Sequence, residues 1–178
     1  AALLDAGSIV AIRGIGGFHI ACTEEAAGDL KRRLGRTEQP LAVMATADEV
    51  ERIAVVSDEE QQTLHSRARP IVVLEKRDPA SHPEISNLHT IGCMLPYTGL
   101  HHLLFANLAH PLLIMTSANL PGYPMITDLS TALDRLSGEV DYILTHDRRI
   151  VNRCDDSVVR DGYIIRLSRG LAPKRAAI

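Results

Sequence analysis

Polar side chains that could bind a phosphate or a nucleotide follow an apolar run near residue 112. The segment PLLIMTSAN ends in Thr116, Ser117 and Asn119, which supply two hydroxyls and an amide. Open α/β sheets bind ligands outside the carboxyl ends of their strands, and such groups can hydrogen-bond a phosphate, a ribose or a base. The alternative is a structural turn in which Asn119 adopts a left-handed conformation. The residues alone leave both interpretations open.

A cluster of cations precedes another apolar run. The segment KRRLGRTEQPLAVM at 31–44 has four cations in its first six residues and then reads as a buried strand. Cations at a helix C-terminus are stabilised by the macrodipole, by ~0.3 to 1 kcal/mol each when exposed, which predicts a solvated helix end. The second hypothesis is that Arg36, at the start of the strand, binds a polyanion.

A glycine-rich loop follows the first apolar run, in the segment RGIGGFH at 13–19. Its GxGG pattern differs from the GxGxxG of dinucleotide-binding loops, and no acidic residue stands about twenty residues further on. A tight turn and a phosphate-binding loop both remain open. Arg13 is the candidate here, because glycine backbone beside it can approach a ligand closely.

The segment HDRRIVNRCDDSVVR at 146–160 mixes four arginines with the pair Asp155 and Asp156. Paired carboxylates are candidate ligands for Mg²⁺, and arginines can bind phosphates through two parallel hydrogen bonds. The alternative is internal ion pairing on a hairpin. His101 and His102 lack further ligands at metal spacing, which favours structural roles for them.

Strands and helices must position these groups, and they alternate along most of the chain. The predicted strands are SIVAIRGI, PLAVMA, PIVVLEK, IGCMLP, PLLIMTSA, VDYILTH and two around SVVRDGYIIRLS, joined by an Asp161-Gly162 turn. The predicted helices start at Thr23, at DEVERIAVV, at Ser57, at GLHHLLFANL and at LSTALDRLSG; NLPGYP and DPASHPEISNLHT are a turn and a loop. This order indicates an α/β fold with a mixed, twisted sheet covered by helices.

Composition narrows the function classes. A formal net charge of −3 and a pI near 6.2 give no global basic field, so any anion site must be local. Three cysteines without metal-type spacing indicate a reducing compartment, and no apolar run is long enough for a membrane span, so we expect a cytoplasmic protein. We expect residues 1–178 to be a single domain excised from a longer polypeptide, because the chain lacks an initiator Met and ends soon after its last predicted strand.

Six segments resemble, in order, the YrdC-like domain of the HypF carbamoyltransferase family, which matures NiFe hydrogenases. They are IVAIRGIGGFHIAC, LKRRLGRTEQPLAVMA, IGCMLPYTGLHHLL, PLLIMTSANLPGYP, HDRRIVNRCDDSVVR and IIRLSRGLAP. The resemblance covers essentially the whole chain. It implies a YrdC-like open, twisted mixed sheet covered by helices, with a positively charged concave face.

The resemblance also implies a reaction. ATP, with Mg²⁺, and a carbamoyl unit derived from carbamoyl phosphate would form carbamoyl-adenylate and release pyrophosphate. The implied partners are the other parts of a HypF-like polypeptide (a kinase-like transferase domain, an acylphosphatase domain and a zinc-finger portion) and a HypE-like acceptor of the carbamoyl group.

Site residues follow from the family pattern. The resemblance assigns nucleotide binding to Arg36, Thr116, Ser117, Asn119, Arg166 and Arg169, and catalytic roles to Arg13, Arg36 and Ser157. Arg13 would face the small acyl group or a phosphate, and Ser157 and Arg169 would close the cleft. Leu34 and Gln39 stand where the family has lysines that face phosphates. Loss of one such contact costs on the order of 1.5 to 3 kcal/mol, and Lys31 or Arg33 could substitute through a shift of register.

Two alternatives use the same fold. One is an O-carbamoyltransferase of similar build, which forms the same adenylate for a hydroxyl acceptor. The other is a threonylcarbamoyl-AMP synthase-like or degenerate module that binds nucleotide or double-stranded RNA. Leu34 and Gln39 favour the degenerate module, whereas the SxN motif, CDDSVVR and the arginine-rich tail argue against it.

Overall fold

The computed structural model of the protein describes residues 1–119 and 123–173, which form one mixed sheet with helices on both faces. The strands are β1 (Val10–Arg13), β2 (Phe18–Cys22), β3 (Ala42–Ala45), β4 (Ala54–Val55), β5 (Ile71–Lys76), β6 (Thr90–Met94), β7 (Leu112–Ser117), β8 (Tyr142–Leu144), β9 (Val158–Arg160) and β10 (Tyr163–Arg166). The helices are α1 (Ala2–Asp5), α2 (Ala27–Arg33), α3 (Ala47–Ile53), α4 (Asp58–His65), α5 (Gly99–Phe105) and α6 (Leu129–Leu136), with a 3₁₀ helix at Glu24–Ala26. None of these helices has the length and apolar character that crossing a membrane requires.

The strands lie in the order β10-β9-β5-β6-β3-β7-β2-β1-β8, and β4 pairs with β5 outside this path. Three neighbouring pairs are parallel, namely β1 with β8, β3 with β6 and β5 with β9. The remaining pairs are antiparallel. The two ends of this order, β10 and β8, do not pair with each other in the described residues. The predicted open, mixed sheet is therefore confirmed.

Both faces of the central strands are buried, which explains why these strands read as nearly continuous apolar runs. Side chains alternate between the faces, so Ile114 of β7 joins the larger core cluster while Leu113 and Met115 join a smaller one. Helices α2, α3 and α6 contribute to the larger cluster. The smaller cluster takes Leu4 of α1 and Leu104 of α5. The two helices of the smaller cluster cover only part of that face of the sheet. The candidate site lies on the uncovered part.

Four helices begin at a side-chain cap, namely Thr46, Ser57, Thr98 and Asp128, and two of the predicted helix boundaries shift. Ser57 forms the expected capping box, in which its hydroxyl accepts from the Glu60 backbone N–H. The helix predicted from Thr23 starts later, because Thr23 is buried after β2, its side chain caps nothing and a 3₁₀ turn intervenes. The helix predicted through residue 56 ends at Ile53, because Ala54–Val55 pair with the end of β5, beyond the residues that pair with β9.

The C-terminal hairpin has the predicted turn. Asp161 and Gly162 have φ values of 49° and 76°, the left-handed pair that a two-residue turn between β9 and β10 needs. Gly35, predicted to end α2, has φ 63°. The loop predicted at 78–90 contains no helix or strand before its last residue, Thr90, where β6 begins. Part of the turn predicted at NLPGYP, residues 120–122, lies outside the described residues.

Candidate functional site

A cleft of about 490 Å³ lies over the face of the sheet that the smaller cluster leaves uncovered. Its floor includes Ala42 of β3, Ile71 of β5, Gly92 of β6 and Met115 of β7. Glycine at position 92 leaves room on the cleft floor, because a Cβ there would stand 3.1 Å from the Ile71 side chain. The polar residues of its wall are Arg36, Gln39, Ser86, Thr90, Thr116, Ser117, Asn119, Asp155, Asp156, Arg160 and Arg166. The cleft thus brings together polar residues of segment 31–44 and of the end of β7.

Arg36 reaches the end of β7 because Gly35 turns the chain away from α2. Its guanidinium donates to the Asn119 carbonyl at 2.6 Å, to Asn119 Oδ1 at 2.9 Å and to Thr116 Oγ1 at 3.3 Å. All of these acceptors are neutral, and Arg36 forms no ion pair within the described part of the chain. Burial lowers the pKa of Arg36, because the charge loses contact with water. A partly desolvated cation without a carboxylate is suited to an anionic ligand.

Ser117 and Asn119 form the rest of this network. The Ser117 hydroxyl donates to Asn119 Oδ1 at 2.8 Å, so that oxygen accepts from both Ser117 and Arg36. Between them Ala118 is fully buried, and its N–H donates to the Phe18 carbonyl at 2.8 Å. The buried alanine fixes the two polar side chains on either side of it at the edge of the cleft.

The structure changes the interpretation of the two lysine positions. Leu34 is 4% exposed and belongs to the larger core cluster, so a lysine deficit at this position does not affect the cleft. Gln39 does line the cleft. Arg33 is held by Asp29 at 2.7 Å and Asp141 at 2.8 Å and does not substitute there. One of the two observations that favoured a degenerate module is therefore removed.

Asp156 is engaged on both carboxylate oxygens. His19 Nε2 lies 2.8 Å from Oδ2, and Arg169 Nε donates to Oδ1 at 2.8 Å. Burial alone would raise the pKa of Asp156, but the hydrogen bond and charge of His19 and the charge of Arg169 hold it well below the ordinary value. Internal ion pairing, one of the two interpretations left open, describes this residue. Asp155 differs, because it lines the cleft and forms no ion pair in the described residues.

Three of the predicted site residues do not line the cleft. Arg169 donates to the carbonyls of Ala68 at 3.0 Å and Arg69 at 2.8 Å, and its guanidinium stacks 3.6 Å from the centre of the Tyr97 ring. The hydroxyl of Ser157, which is fully buried, donates to the Arg169 carbonyl at 3.0 Å and accepts from the Ser168 N–H at 2.8 Å.

Arg13 is the third residue outside the cleft wall. Its Nη1 donates to the His146 carbonyl at 2.8 Å, and its guanidinium lies 5.9 Å from the centre of the Phe18 ring. Its Nε is buried without a hydrogen-bond partner in the described residues. Arg36, Thr116, Ser117, Asn119 and Arg166 are thus brought together, whereas Arg13, Ser157 and Arg169 are not.

Arg160 lines the cleft and was not singled out from the sequence. Side chains alternate along β9, and Val158, two residues earlier, pairs in register with Ile71 of the cleft floor. This alternation is the signal that could have placed Arg160 on the same face. The partnership of His19 with Asp156 left no such signal, because 137 residues separate them.

His101 is a buried neighbour of this ion pair, and it makes a pH-dependent contribution to stability. It is 1% exposed, its Nδ1 has no hydrogen-bond partner in the described chain, and its ring meets Tyr97 edge-on at 4.5 Å. Burial, and then the charge of His19, lower the pKa of His101 from 6.5 to about 4. Between these values the unfolded chain binds a proton that the folded chain does not, so stability falls as pH decreases from about 6.5 to about 4. Urea unfolding across this range should show a flatter pH dependence for His101→Gln than for the parent; equal slopes would contradict the assignment.

Comparison with known proteins gives one consistent relationship. A sequence model of the Sua5/YciO/YrdC family, described as Telomere recombination, matches residues 2–168. The probable carbamoyltransferase HypF of Methanocaldococcus jannaschii is 49% identical over 183 residues, which cover 97% of the chain and 24% of that protein. The chain thus spans about a quarter of the length of the curated relatives it matches.

Solved structures agree with the sequence relatives. A full-length HypF in the phosphate- and nucleotide-bound form has a TM-score of 0.91 at 42% identity, over 97% of this chain and 29% of that one. HypF of T. kodakarensis has the same TM-score at 46% identity, over 97% of this chain and 24% of that one. The resemblance to the YrdC-like domain of HypF and the YrdC-like fold class are both confirmed.

Proposed function

The chain belongs to the Sua5/YciO/YrdC family, and from that premise we propose that it forms the adenylation site of a HypF-type carbamoyltransferase. ATP and a carbamoyl unit derived from carbamoyl phosphate react in the cleft to give carbamoyl-adenylate and pyrophosphate. The relatives are carbamoyltransferases by name, which supports a carbamoyl-related function. The nucleotide in the HypF structure supports ATP as the second substrate.

The observation that carries the proposal is the network of Arg36, Ser117 and Asn119. It offers a guanidinium, a hydroxyl and an amide at one end of a cleft of about 490 Å³, and the guanidinium has only neutral acceptors. A phosphate oxygen would replace Asn119 Oδ1 as the acceptor for Arg36 and Ser117. The bond from the neutral Ser117 hydroxyl would become charge-assisted, which roughly doubles its strength, and Arg36 would gain an opposite charge, so the network is suited to phosphate.

The reaction requires that the two substrates are held in position and that the charge on the phosphates is stabilised. Hydrolysis of carbamoyl phosphate, the role proposed for the acylphosphatase portion, first gives carbamate and inorganic phosphate. A carboxylate oxygen of carbamate then attacks the α-phosphorus of ATP, the new O–P bond forms, and the bond from the α-phosphorus to the bridging oxygen breaks so that pyrophosphate leaves. Fixed cations around the phosphates stabilise the charge that develops. Arg36 approaches from one side of the cleft, and Arg160 and Arg166 approach from the C-terminal hairpin. A site without a protein nucleophile is sufficient for this reaction.

Of the two carboxylates predicted as Mg²⁺ ligands, only Asp155 is suited to bind the ion. Both oxygens of Asp156 are taken by His19 and Arg169, whereas Asp155 lines the cleft without an ion pair in the described residues. The described residues contain no group of three or more His, Cys, Asp or Glu that could hold a metal ion. Mg²⁺ is commonly held by one or two carboxylates together with substrate phosphates. Asp155 would hold it with ATP, and the ion would neutralise charge on the phosphates.

The remaining roles belong to a larger protein. Since the relatives are about four times as long as the matched region, transfer of the carbamoyl group to a HypE-like acceptor is assigned to their other parts. The proposed partners of this chain are therefore the kinase-like, acylphosphatase and zinc-finger portions of a HypF-like polypeptide.

Pyrophosphate release tests the proposal. The complete polypeptide that contains this chain, incubated with ATP, Mg²⁺ and carbamoyl phosphate, should release pyrophosphate only when all three are present. A coupled pyrophosphatase assay measures it, and omission of carbamoyl phosphate is the control. Absence of carbamoyl phosphate-dependent pyrophosphate from the active, complete polypeptide would refute the proposed reaction.

A further inference from the structure

A second cavity, of about 380 Å³, lies on the other side of the ion pair between Asp156 and Arg169. It is lined by Ile15, His65, Ser66, Arg67, Arg69, Pro96, Tyr97, His102 and Arg169. The lining includes three arginines and two histidines and no carboxylate. We propose that this second cavity binds a small phosphorylated molecule, at a site separate from the nucleotide cleft.

Basic side chains converge from four parts of the chain. His65 ends α4, Arg67 and Arg69 follow in the next loop, His102 lies on α5, and Arg169 follows β10. The dipole of α4 accounts for the position of Arg69, whose Nη1 lies 3.5 Å from the Leu64 carbonyl. Such an effect is small for a side chain at a helix end. It does not explain why His102 and Arg169 reach the same cavity from other elements.

The charges of Arg67 and Arg69 are uncompensated within the described residues. Neither residue takes part in an ion pair there, whereas Arg169 is matched by Asp156. In a chain with a formal net charge of −3, two such arginines beside one cavity form a local anion site. Arginine is suited to phosphate, because its planar fork can donate two parallel hydrogen bonds to one phosphate group.

The backbone that carries these arginines is strained and held in place. Arg69 has φ 45°, a left-handed conformation that is costly for a residue other than glycine. The carbonyls of Ala68 and Arg69 accept hydrogen bonds from Arg169, at 3.0 and 2.8 Å. Backbone strain that neighbouring contacts maintain is typical of ligand sites. The Arg169 contacts thus fix the direction in which the loop presents Arg67 and Arg69.

The size and lining of the second cavity indicate the ligand class. Small-molecule sites commonly span about 300 to 1,000 Å³, so the cavity is large enough for a phosphate with a short organic group. Ile15 and Pro96 supply apolar contact. Tyr97, also in the lining, has a buried hydroxyl without a hydrogen-bond partner in the described residues. Cationic and apolar groups together favour a small phosphorylated metabolite over a metal ion.

Methyl NMR with inorganic phosphate as the probe tests the site. In protein labelled at isoleucine δ1 methyl groups, Ile15 reports on the second cavity, and Ile71 reports on the nucleotide cleft. Phosphate should shift the Ile15 signal saturably. Arg67→Gln and the double variant with Arg69→Gln should weaken this binding by at least tenfold, and Arg32→Gln, which removes an exposed arginine from α2, should not. Arg67 is exposed, so its single variant tests the site even if the double variant fails to fold.

Three outcomes would overturn the proposal. They are an unchanged Ile15 signal at millimolar phosphate, equal phosphate binding by parent and Arg67→Gln, or a response of Ile15 to RNA alone. The result is independent of the proposed adenylation, because ATP binding in the cleft is read at Ile71. An Arg36→Gln variant should lose the response of Ile71 to ATP and keep the response of Ile15 to phosphate.

Discussion

Replacement of Asp156 by alanine is expected to destabilise the fold by about 3 to 5 kcal/mol, because it leaves Arg169 as a buried cation without its counter-ion. The side chains of Asp156 and Arg169 are 6% and 9% exposed, so water cannot compensate the charge. His19 loses its hydrogen-bond partner in the same change. Urea unfolding at pH 7 measures the effect as a lower midpoint at constant slope.

An exposed ion pair provides the matched control. Arg32 and Asp29 form an ion pair of 2.8 Å with side chains 70% and 36% exposed, so Arg32→Ala should cost no more than about 1 kcal/mol. A double variant, Asp156→Ala with Arg169→Met, should be less destabilised than the sum of its single variants, because it removes both charges. Additive losses, or an Asp156→Ala loss of the size of the control, would contradict a coupled buried pair.

The pH dependence of this contribution has a defined sign. The pKa of Asp156 is lowered in the folded chain, so the unfolded chain takes up a proton first as pH falls. The stabilisation is complete well above the unfolded carboxyl pKa of about 3.9 and declines progressively below it. His101 acts in a higher window, between about 6.5 and about 4, so comparison of Asp156→Ala with His101→Gln separates the two contributions.

Local pattern was sufficient to predict eight of the ten strands and one side of the cleft, whereas β2 and β4 were not predicted. β7 is a short apolar run followed at once by hydroxyls and an amide, and the position of these groups at the strand end follows from the run itself. Gly35 marks the end of α2, so the exit of Arg36 toward the sheet was also visible in the sequence. The residues Arg36, Ser117 and Asn119 do lie together; their binding of nucleotide stays a prediction.

Long-range pairing accounts for what the sequence could not give. The roles of Ser157 and Arg169 depend on contacts with segments 12 and about 100 residues away, which no local pattern encodes. The orientation of Leu34 depends on where α2 packs, and the family pattern alone wrongly placed it beside the phosphates. β4 forms because the end of β5, beyond the two residues that pair with β9, pairs with Ala54 and Val55.

The Asp156–Arg169 pair links stability to the geometry of both sites. Asp156 lines the cleft beside Arg36, and Arg169 lines the second cavity and holds the loop that carries Arg67 and Arg69. Ser157 ties the same segment to the backbone after β10. The C-terminal hairpin, which contributes Arg160 and Arg166 to the cleft, is therefore fixed to the sheet by groups that need not touch a ligand.

Replacement of Arg36 by alanine is expected to weaken ATP binding by about ten- to a hundredfold, the loss that follows from one charge-assisted phosphate contact. Arg36→Lys should retain part of the affinity, since it keeps the charge and loses the fork. Ser117→Ala should cost less, on the order of 0.5 to 1.5 kcal/mol, because it removes a single neutral donor. Titration with ATP, followed at the Ile71 methyl signal in the cleft, measures all three variants.

Two controls separate ligand binding from damage to the fold. Arg36 also donates to Thr116 and Asn119, so its loss could loosen the end of β7; urea unfolding of Arg36→Ala and Arg36→Lys measures that effect directly. Arg32→Ala removes an equal charge from α2 outside the cleft and should leave ATP affinity within about twofold, since a screened surface charge contributes little. If Arg36→Ala and Arg32→Ala bind ATP equally well, the phosphate does not lie at Arg36, and the guanidinium serves only to hold Asn119 against β7.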